Sequence, residues 1–317
     1  MKTTELVVTK LEGTGNDFVL IDGVRTPLNG LAHQWPAVAR ALCAKYAEDV
    51  DGLLVLEPSR RADVRMRIFN PDGSEASMCG NGIRCLAWHA HRSGAARSTM
   101  TIETRAGIKR AWMLSGNRVK IDMGVPRILH PAVKLGLSRV DEASWIDSGV
   151  PHLVCWVSDV RRIDVERLGG RLRGDRRFQP GGTNVDFVSG ETWRIVHDTL
   201  RGVLHHRATL TMRTYERGVE GETQACGTGA VAAATAAVLN RANDVFADWD
   251  DLLQAGQESD ALRGLVDVKV PGGTLLVEVS VKQVLKTREL VFSHAFLEGA
   301  VEQLGHRTVA WNGRAGA

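Results

Sequence analysis

Hydrophobic and polar residues alternate along much of this chain with a period of two, the mark of half-buried strands, and in three stretches the pattern changes to that of a helix. Alternation over 5–22 is interrupted by Gly13-Thr14-Gly15-Asn16-Asp17, which predicts strand, turn, strand. A helical period covers 33–46, and 53–57 is a short apolar strand. The strand predicted over 65–69 runs into the turn Asn70-Pro71-Asp72-Gly73. Then comes Cys79-Gly80-Asn81-Gly82 and an apolar helix over 83–91, followed by strands at 100–104, 110–114 and 118–123. A comparable order recurs. Strands at 153–157, 184–188 and 209–215 lead through a charged loop to Cys226-Gly227-Thr228-Gly229 and a small-residue helix over 230–239. Strands at 266–270, 274–281 and 290–297 follow, with 241–264 as a surface loop or short helix and 306–317 as a loose tail. Two occurrences of Cys-Gly-x-Gly at a predicted helix start suggest duplicated half-domains.

That repeated turn carries chemistry. A cysteine at a helix N-terminus meets unpaired backbone N–H groups and the positive end of the helix dipole. Such a setting lowers a thiol pKa from about 8.5 to roughly 3.5–7.5. The glycines permit a sharp turn and close approach of a ligand. The N–H groups of Gly80, Asn81, Gly227 and Thr228 can then grip a carboxylate. Inversion of a carbon beside a carboxylate needs a proton removed from one face and another returned to the opposite face. A thiolate and a thiol do both, and exchange roles in the reverse direction. Cys43, Cys85 and Cys155 lie in apolar or helical stretches and are expected to be core.

Composition removes several other classes. The 317 residues suit two cores, and a formal charge of +3 spread over scattered arginines gives no basic face for nucleic acid. The densest basic stretch, 171–177, is expected to be a solvated loop. The segment 1–10 has no apolar run of signal-peptide kind, and the longest apolar stretch, 230–239, is too short to span a bilayer. The expected location is therefore cytoplasmic, without membrane or nucleic-acid partners. An odd count of five cysteines fits reduced thiols.

Rival sites are weaker. Gly227-Thr228-Gly229-Ala230-Val231-Ala232 fits a dinucleotide fingerprint, but a charged segment stands where the preceding apolar strand belongs, and no strand leads into Asp248, Asp250 and Asp251. Cys79, Cys85, His89 and His91 lack the second compact pair of a zinc site, so no metal is expected, and the two histidines read as solvent-facing. His205 and His206 likewise read as surface. No phosphate-binding loop is present, and no lysine has a Schiff-base setting. A non-enzymatic binding module is left open by residues alone.

The motifs together resemble diaminopimelate epimerase, the pyridoxal-independent isomerase of lysine and peptidoglycan precursor biosynthesis. They are Gly13-Thr14-Gly15-Asn16-Asp17-Phe18, Phe69-Asn70-Pro71-Asp72-Gly73-Ser74-Glu75-Ala76, Met78-Cys79-Gly80-Asn81-Gly82-Ile83-Arg84-Cys85, Pro151-His152, Asn184-Val185-Asp186-Phe187, Tyr215-Glu216-Arg217-Gly218, Ala225-Cys226-Gly227-Thr228-Gly229 and Pro271-Gly272-Gly273, in the family's order. The resemblance implies an α/β (α+β) fold of two similar halves related by a pseudo-two-fold. Each would be a curved, mostly antiparallel sheet around a central helix, with the active site in the cleft between them. The halves would be 1–125 and 126–289, with the final strand near 290–305 returning to the first. It also implies no cofactor, a small amino-acid substrate and a homodimer.

Residue roles follow from the same resemblance. Cys79 and Cys226 would be base and acid. Gly80, Asn81, Gly227 and Thr228 would hold the reacting carboxylate, and His152 and Glu216 would bias the thiol pKa values. Asn16, Asn70, Asn184 and Arg217 would bind substrate, Arg217 through the distal carboxylate and Glu216 through an ammonium. The chain departs from the pattern at Val150, where many members place Asn, and at Gly52, where Gln often contacts substrate, within a changed segment 47–52. Glu220 is an added residue, and 241–264 is long. Another amino acid, such as histidine, is the nearest alternative substrate.

Overall fold

The computed structural model describes residues 4–26, 31, 33–45, 50–198, 203–241, 262–284 and 289–311. In chain order the elements begin β1 (Thr4–Gly13), β2 (Asn16–Asp22), α1 (Trp35–Lys45), β3 (Gly52–Glu57), β4 (Val64–Phe69), β5 (Glu75–Ala76) and α2 (Gly80–Arg92). Then come β6 (Thr99–Thr104), β7 (Gly107–Met113), β8 (Arg118–Gly124), β9 (Arg127–His130), β10 (Glu142–Asp147), β11 (Pro151–Trp156) and α3 (Val165–Arg173). The rest are β12 (Asn184–Asp198), β13 (Val203–Glu216), β14 (Gly221–Thr223), α4 (Gly227–Asn240), β15 (Leu262–Val270), β16 (Gly273–Val284), β17 (Glu289–Ala300) and β18 (Glu302–Trp311). The chain divides into two compact units, Met1–Ile121 with Glu298–Ala317, and Asp122–Leu297.

In the first unit β1 and β2 pair antiparallel through a two-residue turn in which Thr14 and Gly15 both take positive φ, of 56° and 78°. That is the primed geometry matching the twist of its strands. β2 lies parallel to β3, β3 antiparallel to β4, and β4 antiparallel to the short β5. β4 then runs parallel to β6, which pairs antiparallel with β7. Helix α2 packs on β1, β2, β3, β4 and β7. Its residues from Gly80 to Trp88 are all buried, and a helix covered all round is a core helix. A separate apolar cluster joins α1, through Trp35, Val38 and Leu42, to Leu6, Val8, Val309 and Trp311.

The second unit follows the same order. β10 pairs antiparallel with β11, β11 parallel with β12, β12 antiparallel with β13, and β13 antiparallel with the short β14. β13 runs parallel to β15, which pairs antiparallel with β16. Helix α4 packs on β10, β11, β12, β13, β15 and β16, with Ala230 through Val238 all buried. Its alanines let strands approach the helix closely, a packing that larger side chains would forbid. Register makes the duplication residue-specific: Phe18 pairs with Gly52 as His152 pairs with Asn184, and Leu54 pairs with Ile68 as Asp186 pairs with Thr214.

Several expectations from sequence are corrected. Residues 306–311 are no loose tail: they belong to β18, which pairs with β1 from Thr4 to Trp311 and buries Val309 and Trp311. The stretch 171–177 is the end of α3 and a single 3-10 turn, where Arg177 pairs with Asp175 and Arg173 with Glu220. His205 and His206 are buried, because β13 is an interior strand with β12 on one edge and β15 on the other. His89 does not face solvent openly; its Nε2 lies 3.0 Å from Asp22 Oδ2. The added Glu220 takes a φ of 58° and accepts from Arg173. Most of the 241–264 segment, residues 46–49 of the changed loop, and 312–317 lie outside the described residues.

Candidate functional site

Both motif cysteines are helix N-caps. Cys79 caps α2 with extended backbone, φ −138°, and its Sγ accepts from Gly82 N at 3.5 Å. Cys226 caps α4 with φ −121°, and its Sγ accepts from Gly229 N at 3.4 Å. Sulfur thus takes the role that Ser, Thr, Asp or Asn usually fill at this position. The first turn of each helix supplies N–H groups without intrahelical acceptors, a site suited to a carboxylate.

In the first unit, Asn81 Nδ2 donates to Asn16 Oδ1, which ties the β1–β2 turn to the first turn of α2. Gly13 permits this contact, since a Cβ there would meet Cys85 Sγ at 2.8 Å. Asn16, Gly52 and Asn70 gather at one end of neighbouring strands, at the starts of β2 and β3 and just past β4. Asn70 is exposed, and its Nδ2 donates to Ser74 Oγ at 2.9 Å, so its amide also shapes the turn. Gly52 can offer backbone only, and a Cβ there would meet the Phe69 carbonyl oxygen at 2.7 Å.

Arg84 was not singled out from sequence, yet it is fully buried one turn behind Cys79. Its Nη1 donates to Gly80 O at 3.0 Å and its Nη2 to Thr14 Oγ1 at 2.8 Å. Burial holds its pKa below the usual arginine range. The signal was present, a charged residue inside the apolar run Ile83 to Ala87.

In the second unit, Asn184 Oδ1 accepts from Arg217 N at 2.8 Å and its Nδ2 donates to Pro151 O at 3.2 Å. Arg217 is half-buried, with Nη1 anchored on Gly181 O at 3.0 Å. Ser148 Oγ donates to the Thr228 carbonyl at 2.8 Å, and the Val150 carbonyl accepts from Ser148 N at 3.2 Å. Val150 itself brings no side-chain donor. His152 is fully buried, with Nδ1 2.7 Å from Asp186 Oδ2 and Nε2 2.9 Å from Thr228 Oγ1. Thr228 Oγ1 lies 3.4 Å from Cys226 Sγ.

The expected lowering of the thiol pKa is reversed at Cys226. Burial pushes this thiol well up, the carboxylates of Glu216 and Asp186 push it further, and the contacts with Thr228 and Gly229 N–H only partly offset them. Desolvation of a thiolate outweighs the helix terminus here. Cys43, Cys85 and Cys155 are buried core thiols as expected, with burial raising all three and Cys43 to about 11. Among the described residues no group of three or more His, Cys, Asp or Glu is placed to hold a metal ion, and no helix is long and apolar enough to cross a membrane.

The second glycine of each motif has a different reason. A Cβ on Gly229 would meet the buried Asp186 Oδ1 at 2.6 Å, whereas one on Gly82 would meet the methyl ends of Leu54 and Ile68 at 3.0 and 3.2 Å. Gly229→Ala is therefore expected to cost about 1–3 kcal/mol of stability, and Gly82→Ala less, because side-chain methyls can shift and a doubly hydrogen-bonded carboxylate cannot. Urea titration of the two variants checks the order, and an equal or reversed cost refutes it.

The family model for diaminopimelate epimerase matches residues 8–129 and 144–288. A diaminopimelate epimerase of Archaeoglobus fulgidus is 39% identical over 251 residues, covering 74% of this chain and 82% of the relative. One from Desulfitobacterium hafniense is 34% identical over 290 residues, covering 86% and 90%. Among solved structures, a phenazine biosynthesis protein of the PhzF family from Bacillus anthracis superposes with a TM-score of 0.63 at 16% identity, covering 98% of this chain and 99% of its own. A hydroxyproline epimerase from Agrobacterium vitis gives 0.55 at 16% identity, covering 96% and 92%. At such identity the structural likeness speaks for the fold alone.

Proposed function

The chain belongs to the diaminopimelate epimerase family, and we propose that it inverts one α-carbon of LL-2,6-diaminopimelate to give the meso form by a two-thiol acid–base mechanism. The observation that carries this reading is the pair of N-cap cysteines, each at the first turn of the central helix of a duplicated unit. One thiolate takes the α-proton, and the other thiol returns a proton to the opposite face. As negative charge builds on the substrate carboxylate, N–H groups at the helix N-termini stabilise it, so the chemistry asks for neither metal nor pyridoxal. Burial and two carboxylates push the Cys226 thiol pKa well up, which suits it to begin as the acid.

Arg217 and Glu216 supply the charges that the far end of diaminopimelate requires, with Asn16, Asn70 and Asn184 as polar contacts. A pocket built for those charges rejects substrates lacking them, because its own groups would be left unsatisfied. Loss of one neutral contact at Val150 costs about 1 kcal/mol, too little to overturn charge pairing. The same reading makes the protein a cytoplasmic homodimer in lysine and peptidoglycan precursor biosynthesis.

The test is a panel of amino acids incubated with the enzyme in heavy water, with α-deuterium followed by NMR and product configuration by chiral chromatography. Exchange and inversion restricted to diaminopimelate are expected. Faster exchange into a monocarboxylic amino acid, histidine included, would move the substrate assignment. Absence of any α-labelling would remove the epimerase reading.

A further inference from the structure

Beneath the first turn of each central helix the two units place equivalent residues of opposite character. Under Gly82 lie Leu54 and Ile68, with Phe18 on the adjoining strand, all buried hydrocarbon. At the matching positions under α4 lie Asp186, Thr214 and His152, all buried and all polar. The first unit shows that this position folds with hydrocarbon. Burying a carboxylate and an imidazole there is costly unless both are paired, so packing does not explain them.

The hydrogen bonds orient the group. Asp186 Oδ1 accepts from Thr214 Oγ1 at 2.7 Å, and Oδ2 lies 2.7 Å from His152 Nδ1. A carboxylate only accepts, so Nδ1 carries the proton. At the other ring nitrogen, Asn184 Nδ2 approaches His152 Nε2 at 3.3 Å. The Asn184 amide cannot turn over without loss, because its Oδ1 accepts from Arg217 N. Nε2 therefore faces a donor and is itself an acceptor, which leaves it to take the Thr228 hydroxyl proton at 2.9 Å. Thr228 Oγ1, having donated, accepts from the Cys226 thiol at 3.4 Å.

We propose that Asp186 is a positioning residue that fixes His152 in its Nδ1–H form and so completes a relay from Cys226 through Thr228 to His152. In the direction where Cys226 is the base, the S–H bond breaks and its proton goes to Thr228 Oγ1, while the Thr228 O–H proton passes to His152 Nε2. The products are a Cys226 thiolate and a His152 imidazolium held by the Asp186 carboxylate, with the hydrogen bonds of the chain reversed. No proton is gained or lost by the site. The relay answers the burial of Cys226 and the carboxylates of Glu216 and Asp186 around it, by placing a cation near the thiolate as it forms.

The proposal rests on the two-thiol reading for its kinetics, but its first test does not. On substrate-free protein, nitrogen-15 NMR of histidine, assigned by the signal lost in His152→Phe, is expected to show His152 with Nδ1 protonated and Nε2 bare. The Nε2–H tautomer there overturns the proposal, whatever the substrate proves to be. Asp186→Asn, which keeps the shape but can donate to Nδ1, is expected to shift that tautomer and to lower kcat by about a hundred- to ten-thousand-fold, the scale seen when an orienting aspartate is lost. KM should stay within about threefold, and combination with Thr228→Val should cost no more than the worse single change, since both break one chain. Activity of Asp186→Asn within twofold of the parent, or losses that multiply, overturns the relay. If Asp186→Asn does not fold, the triple variant His152→Phe/Asp186→Leu/Thr214→Ile, which installs the hydrocarbon of the first unit at all three positions, must fold and be no less active than His152→Phe alone; further loss overturns the proposal.

Discussion

Replacing Cys79 or Cys226 with alanine is expected to abolish inversion, with kcat lower by on the order of 10⁴-fold, the upper range of a positioned acid or base. The reason is stereochemical. In the proposed two-thiol mechanism each face of the α-carbon has its own proton carrier, and neither thiol serves the face opposite its own. Both sulfurs sit at N-caps where one backbone N–H already points at them, from Gly82 at 3.5 Å and Gly229 at 3.4 Å. Alanine cannot accept that bond, so a modest loss of stability accompanies the change, about 1 kcal/mol for a lost cap. Chiral chromatography of product, with circular dichroism as the control for folding, separates the two effects. Substantial inversion by either folded variant would sink the two-thiol mechanism.

The second large effect is expected at Arg217. Its backbone N–H is held by Asn184 Oδ1 and its Nη1 by Gly181 O, so the guanidinium is oriented before substrate arrives. A guanidinium carries five donors in a fixed fork, which suits a distal carboxylate held in two places. In the proposed binding mode, Arg217→Met deletes the charge and leaves the substrate carboxylate desolvated without a partner, a loss of about 2–5 kcal/mol. At about 1.4 kcal/mol per decade, kcat/KM for diaminopimelate should fall by roughly 30- to 4,000-fold. Asn70→Ala, which removes a neutral contact from an exposed turn, should cost about tenfold or less. If steady-state kinetics place the two variants within a factor of two of each other, the far end of the substrate lies elsewhere.

Local pattern was enough to read the duplication, the two catalytic candidates and the family, because those signals are short-range. Each Cys-Gly-x-Gly turn opens its helix through a local cap by the cysteine, whatever the helix packs on, and strand alternation reports which face is covered. The three core cysteines were legible for the same reason, since apolar neighbours in sequence imply apolar neighbours in space. Tertiary structure decided what sequence could not carry. Residues 306–311 read as part of a loose tail until β1 is seen to offer its edge from Thr4 to Glu12, and that pairing joins opposite ends of the chain. His205 and His206 are buried by strands β12 and β15, whose arrival at β13 no local window foretells. The thiol of Cys226 is raised rather than lowered because desolvation and two carboxylates converge on it from separate elements. Asp186 makes the difference plainest. In the sequence it is one acid in an alternating strand, Asn184-Val185-Asp186-Phe187, indistinguishable from a solvent-facing residue. Only register across three strands sets it under Gly229 and against His152, since burial of a charge depends on what the fold brings from outside the segment that bears it.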